Sequence, residues 1–113
     1  MINNKMRKRV YDKYNGRCAY CGMKIFNNCG DESFHIDHII PKCKGGSNHL
    51  FNLNPSCRYC NLKKHDKSLD EFRPLLFALP DCIEEMPHIQ RMILNKILIL
   101  DYRDVKFYFE RIQ

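Results

Sequence analysis

The stretch FHIDHIIPKCKGGSNHLFNLNPSCRYCNLKKHD, Phe34 to Asp66, decides the fold. It begins with a β-branched run, Phe34 to Ile40, in which Phe34, Ile36, Ile39 and Ile40 are apolar and His35, Asp37 and His38 are not. Pro41 lacks an amide donor and stops the pairing. Gly45-Gly46 then offers a turn, Asn52-Leu53 opens a second extended piece, and a helix is expected from Cys57 to about Lys67. The order is strand, turn, strand, helix.

Asp37 and His38 sit where this unit could do chemistry. A hard cation such as magnesium takes oxygen ligands and keeps several waters, so one carboxylate and one side-chain amide suffice to hold it. Neutral imidazole can take a proton from water near physiological pH. One histidine beside one acid is by itself only a surface hydrogen bond, but other polar residues converge here. Asn52 in the returning strand could tie the two arms and set the direction of His38. Asn61 and His65, four apart on the expected helix, share a face, and either could point back to Asp37. Lys42 and Lys44 beside the glycines suit close approach of a phosphate and equally suit a plain loop.

Flanking this unit are two CxxC pairs, Cys18/Cys21 and Cys57/Cys60, the first followed by Gly22. Four thiolates in two such pairs match the tetrahedral preference of zinc, and folding around the metal would stabilise a small core. A redox pair is the weaker alternative. Cys29, Cys43 and Cys82 stand alone and read as buried or incidental thiols. Residues 3 to 15 form an expected helix, with Met6, Val10 and Tyr14 on one side and Lys5, Arg7, Lys8, Arg9 and Lys13 elsewhere, ended by Gly16. It could pack beside the metal site, lie on a phosphate backbone, or both. Residues 23 to 33 read as a loop or irregular hairpin. Phe72 to Pro80 reads as a link broken by Pro74 and Pro80. From Met86 onward Ile89, Ile93, Ile97 and Leu100, then Val105, Tyr108 and Ile112, follow helical spacing, and core packing is the expected role, with a dimer seam as the alternative.

Charge is unevenly spread. The chain has 113 residues and a net charge of +6; residues 1–67 carry 13 basic and 5 acidic side chains, residues 68–113 carry 6 and 8. A polyanion such as nucleic acid is the natural partner of the front half, although a solvated basic surface has the same composition. An odd number of cysteines, 7, and a polar start without a secretion signal point to a reducing cytoplasm. The aliphatic run Ile97 to Leu100 is too short to span a bilayer, so no membrane role is expected. The length suits a single domain, residues 1–113.

With these residues placed, the chain resembles the HNH endonuclease family, in the subset with two zinc-binding CxxC knuckles. The likeness runs from about Arg9 to Phe72 through Cys18-x-x-Cys21-Gly22, Asp37-His38-Ile-Ile-Pro41, Gly45-Gly46, Asn52-Leu53, Cys57-x-x-Cys60-Asn61, Lys64 and Glu71-Phe72. It implies an α+β fold with a ββα-metal core (residues 9–72) stapled by a four-cysteine zinc site, an N-terminal helix and a helical extension over residues 80–113. It also implies a DNA endonuclease, RNA not being excluded, that leaves a 5′-phosphate and a 3′-hydroxyl, in a bacterial or phage-infected cell. Asp37 would bind a catalytic divalent ion, magnesium or another, and His38 would be the general base. Asn52 would orient the hairpin, and Asn61 would stand at the third motif position as second metal ligand, giving an HNN-like form with His65 as the alternative. His35 would be an auxiliary phosphate contact or a surface histidine. Lys5, Arg7, Lys8, Arg9, Lys42, Lys44, Arg58, Lys63, Lys64 and Lys67 would contact the backbone of DNA. A non-catalytic zinc-dependent DNA-binding module is the rival reading, and oligomeric state is left open.

Overall fold

The computed structural model describes residues 2–26, 33–78, 83–100 and 105–113, apart from the side chain of Glu84. Cys29, Cys82, Pro80 and the break at 101–104 lie outside them. The architecture is α+β, with helix α1 (Asn4–Asp12), strands β1 (His35–His38) and β2 (Leu53–Ser56), and helices α2 (Arg58–Lys64), α3 (Leu69–Phe77), α4 (Pro87–Leu94) and α5 (Tyr108–Arg111). β1 and β2 form an antiparallel pair in which Asp37 faces Asn54 and His38 faces Leu53. With α2 they make the expected ββα unit.

Elements end where a side chain or a left-handed residue takes over the backbone. Asn3 caps α1, its side chain accepting the Met6 amide at 2.9 Å, so the helix starts one residue later than its spacing suggests. Asn15 (φ 56°) and Gly16 (φ 77°) then turn the chain away. β1 is shorter than Phe34 to Ile40 because the amides of Ile39 and Ile40 go to the backbone and side-chain oxygens of Asn52, each at 2.9 Å. Cys57 caps α2, and His65, at φ 49°, closes it two residues before Lys67. His65 is therefore past the helix, and the shared helical face expected of Asn61 and His65 does not form.

Two C-terminal expectations are corrected. The link Phe72 to Pro80 is instead largely helix α3, started by a reciprocal cap between Ser68 and Glu71 and carrying Pro74 inside it. The cap and the burial of Phe72 outweigh the proline. The apolar spacing from Ile89 onward does not build the core: no residue of α4 is buried, and Leu94, Ile97 and Ile99 are 81%, 73% and 76% exposed. Among the described residues after α3, Phe107 is the one fully buried in the core. Its neighbours dock on the first cysteine knuckle, the amides of Tyr108 and Phe109 reaching the carbonyls of Tyr20 (3.0 Å) and Ala19 (2.8 Å).

The core is organised around Tyr20, whose ring meets Phe72, Phe107 and Phe109 edge-on at 5.4, 5.1 and 6.0 Å. Val10, Ile25, Phe34 and Leu53 complete it. Edge-to-face contact adds to the area these rings bury. Arg73 holds the C-terminal segment from outside, stacked 4.5 Å over Phe107 and paired with Glu110. No helix among the described residues is long and apolar enough to cross a membrane.

Candidate active site

The four paired cysteines converge, and all their sulfur atoms lie within 4.8 Å of one another. A tetrahedron with metal–sulfur bonds of ~2.3 Å has edges of about 3.8 Å. Cys21 and Cys57 sulfurs are 3.8 Å apart, so the donor set fits a tetrahedral thiolate-bound ion. The thiols perturb one another strongly. Hydrogen bonding to Cys21, then to Cys57 and Cys60, drives Cys18 far below its ordinary range. Hydrogen bonding to Cys18, Cys21 and Cys57 pushes Cys60 well above its own. Cys43, the remaining described cysteine, is exposed and lines a different feature, the cleft between β1 and α2.

That cleft, of about 330 Å³, is lined by Asp37, His38 and Asn61, with Lys42, Cys43 and His65 among its other walls. Adjacent strand residues point to opposite faces, which would separate Asp37 from His38 on a continuing strand. Here β1 stops at His38, and both residues line one cleft.

Asp37 is 4% exposed. Its Oδ2 accepts hydrogen bonds from the Tyr20 hydroxyl and from the ammonium of Lys64, 3.1 Å away. Burial raises the Asp37 pKa above the ordinary carboxylate value, against the opposing pull of the Tyr20 hydrogen bond and the Lys64 charge. Burial likewise lifts the Tyr20 hydroxyl well above its usual range, so it stays a donor. The Lys64 ammonium also donates to the His38 carbonyl at 2.8 Å, tying the aspartate and the end of its strand to α2. Lys64 is entirely buried, which removes it from the set of DNA contacts expected from the sequence. Its position three residues after Asn61 turns it inward against β1.

Asn52 is 5% exposed and does not line the cleft. Its Oδ1 accepts the Ile40 amide at 2.9 Å, and its Nδ2 donates to the carbonyls of Ile40 (3.2 Å) and Ser47 (2.8 Å). It clamps the end of β1 to the loop that leads into β2. His65 lines the cleft but turns Nδ1 to Asp66 Oδ1 at 3.1 Å. His35 is half-buried opposite Ser56 at the far end of β1 and is not on the cleft.

The other expected cations divide by environment. Lys42 lines the cleft and is exposed, as are Lys5, Lys8, Arg9, Arg58 and Lys63, while Lys67 is half-buried. Lys44 pairs with Glu71 at 3.4 Å, and Arg7 lies 4.8 Å over the Phe34 ring. Lys13 is used internally, its ammonium donating to the carbonyls of Leu50 (3.0 Å) and Leu53 (2.8 Å) and to Asn54 (3.1 Å).

Four contacts that matter to this geometry had no counterpart in the sequence reading: those of Tyr20 and Lys64 with Asp37, of Lys13 with the hairpin, and of Asn48, whose Oδ1 is 2.7 Å from His38 Nε2. Tyr20 lies inside the first CxxC and Asn48 in a turn, so local pattern gave no cue to either contact.

A family model described as HNH endonuclease matches residues 18–67. Over an alignment of 78 positions that covers 63% of the chain, it is 37% identical to the "SPbeta prophage-derived putative HNH endonuclease YoqL" of Bacillus subtilis (strain 168). The match covers 33% of that relative's length.

Proposed function

We propose that residues 18–67, which match a family model described as HNH endonuclease, form such a domain, and that the protein is a metal-dependent endonuclease that hydrolyses phosphodiester bonds of DNA. The observation that carries this reading is the meeting of Asp37, His38 and Asn61 in one cleft. His38 is the general base: its free ring nitrogen takes a proton from the water that attacks phosphorus in line with the leaving oxygen. Asp37 and Asn61 supply a carboxylate and an amide oxygen, a donor set that suits a hard divalent ion such as magnesium. When bound, such an ion supplies positive charge to the phosphate and the leaving oxygen. Tyr20 and Lys64 hold the Asp37 carboxylate in place, which is how partners behind a ligand tune a metal site.

Cys18, Cys21, Cys57 and Cys60 hold a structural zinc, joining the knuckle before β1 to the start of α2. Because Cys60 directly precedes Asn61, that joint also sets where the amide projects. Lys42 at the cleft, with Arg58, Lys63 and the exposed cations of α1, contacts backbone phosphates, which position DNA without reading its sequence.

The test is nicking of supercoiled plasmid with and without magnesium. His38→Ala should lose cleavage yet bind magnesium and DNA nearly as the wild type does. Asp37→Asn should weaken magnesium binding itself, and Asn61→Ala should follow Asp37→Asn while His65→Ala stays mild. Wild-type cleavage by His38→Ala would remove the base assignment. A protein loaded with zinc and magnesium that cuts neither DNA nor RNA would overturn the endonuclease reading.

A further inference from the structure

The contact between His38 and Asn48 bears on which nitrogen of the base does the work. A carboxamide oxygen can only accept, so Asn48 Oδ1 at 2.7 Å from Nε2 requires the proton of the neutral imidazole to sit on Nε2. The lone pair is then on Nδ1. We propose that Asn48 is the positioning residue of the base: it selects the Nε2–H tautomer and the ring orientation that leave Nδ1 as the proton acceptor. This rests on the reading of His38 as general base. Asn48 acts through the imidazole and has no direct part in the chemistry.

The chain between Pro41 and Asn52 is built so that this contact has little freedom. Lys42–Lys44 forms one tight turn closed by Gly45 in the left-handed region (φ 89°). At Gly46 a Cβ would fall 1.6 Å from the Ile40 carbonyl oxygen, so a residue without a side chain lets the loop return flat against the end of β1. The Gly46 amide closes that return on the Pro41 carbonyl at 3.0 Å. Asn52 then grips both sides, binding the backbone of Ile40, two residues after His38, and the carbonyl of Ser47, one residue before Asn48. On the far side of Asn48, the His49 carbonyl accepts the Asn52 amide at 2.8 Å. Base and positioning residue thus stand on two segments joined by one asparagine. Asn52, remote from the cleft, influences cleavage through the His38–Asn48 contact.

An imidazole without such a partner populates both tautomers and rotates, so only part of the population presents a lone pair to the water. Loss of the partner behind a metal-ligating histidine costs about 10–100-fold in activity; a loss of the same order is expected for the base, and it belongs in kcat because ground-state contacts to DNA are untouched.

The experiment reads the tautomer directly. Zinc-loaded, magnesium-free protein labelled with ¹⁵N-histidine is examined by long-range ¹H–¹⁵N correlation above the titration range of imidazole. Wild-type His38 should show a protonated Nε2 and a bare Nδ1. Asn48→Ala should show mixed tautomers, an unchanged cooperative unfolding midpoint and a kcat lower by about 10–100-fold at nearly constant KM. Asn48→Asp, which keeps an acceptor oxygen, should restore the Nε2–H signature. A wild-type His38 protonated on Nδ1, or an Asn48→Ala protein with wild-type tautomer and kcat, would overturn the proposal. If the tautomer depends on Asn48 but His38→Ala still cleaves, the positioning contact stands and the base assignment is what fails.

Discussion

Lys63 and Lys64 are identical neighbours on α2, and the structure gives them opposite fates. Lys64 is wholly buried, its ammonium 3.1 Å from Asp37 and 2.8 Å from the His38 carbonyl, whereas Lys63 is exposed. Lys64→Met keeps much of the side-chain volume but leaves a buried carboxylate with the Tyr20 hydroxyl and no countercharge. Removing one partner of a buried ion pair costs about 3–5 kcal/mol, a large fraction of the ~5–15 kcal/mol that holds a domain together. Lys63→Met should stay within about 0.5 kcal/mol of wild type. The loss at Lys64 should also depend on pH. Burial already raises the Asp37 pKa in the folded protein, and without the ammonium it rises further. A carboxyl whose folded-state pKa exceeds its unfolded value loses stability as pH climbs from the unfolded value through the folded one. The deficit of Lys64→Met is therefore greatest at high pH and shrinks on acidification as Asp37 takes up a proton. Urea unfolding of zinc-loaded, magnesium-free protein, followed by far-UV circular dichroism at several pH values, measures both effects. A loss below about 1 kcal/mol, or one that does not vary with pH, would refute an ion pair whose breakage carries the buried-pair cost.

Cys57→Ser should abolish stoichiometric metal binding by elemental analysis and leave the protein unfolded or aggregated, since it removes one of the four converging sulfurs while serine can still cap α2; full metal retention would exclude the four-cysteine site. Gly46→Ala should destabilise the protein by several kcal/mol and loosen the Pro41–Asn52 loop, because its Cβ would lie 1.6 Å from a backbone oxygen; a wild-type unfolding midpoint would contradict that packing. Glu110 has its pKa lowered, first by the Arg73 hydrogen bond, so its contribution is present above the unfolded carboxyl pKa and is lost as pH falls through the folded one. Glu110→Gln should accordingly cost about 1 kcal/mol near neutrality, screened by solvent, and converge on wild type in acid; parallel thermal stability curves at all pH values would count against the pair.

The cysteine spacing, the β-branched run, the Gly-Gly turn and the order of strand, strand and helix were all legible in the chain, because each expresses a short-range requirement. A CxxC turn brings two sulfurs together within four residues, a left-handed corner needs glycine, and Pro41 removes an amide from a ladder. Pro74 points to a broken link, and the reciprocal cap between Ser68 and Glu71 overrides it. The C-terminal third was misjudged because helical spacing reports that an apolar stripe exists and says nothing of what covers it. In α4 nothing among the described residues buries it, while Phe107, which falls off that helical spacing, fills the core beside Tyr20.

What the sequence determined by itself was the inventory: the sulfur ligands, an aspartate–histidine pair before a proline, an asparagine on the following helix, and an excess of cations in the front half. Tertiary structure decided which cations face solvent and which are spent inside, sending Lys13 to the carbonyls of the hairpin and Lys64 to Asp37. It also placed Tyr20 behind the carboxylate and Asn48 against the imidazole, contacts that span 17 and 10 residues. Such pairings depend on where the chain returns, and the return here is set by the register of β1 with β2, the clamp of Asn52 and the convergence of four sulfurs. No local pattern encodes them, because the free energy that selects them comes from burying a charge only where its countercharge is also buried.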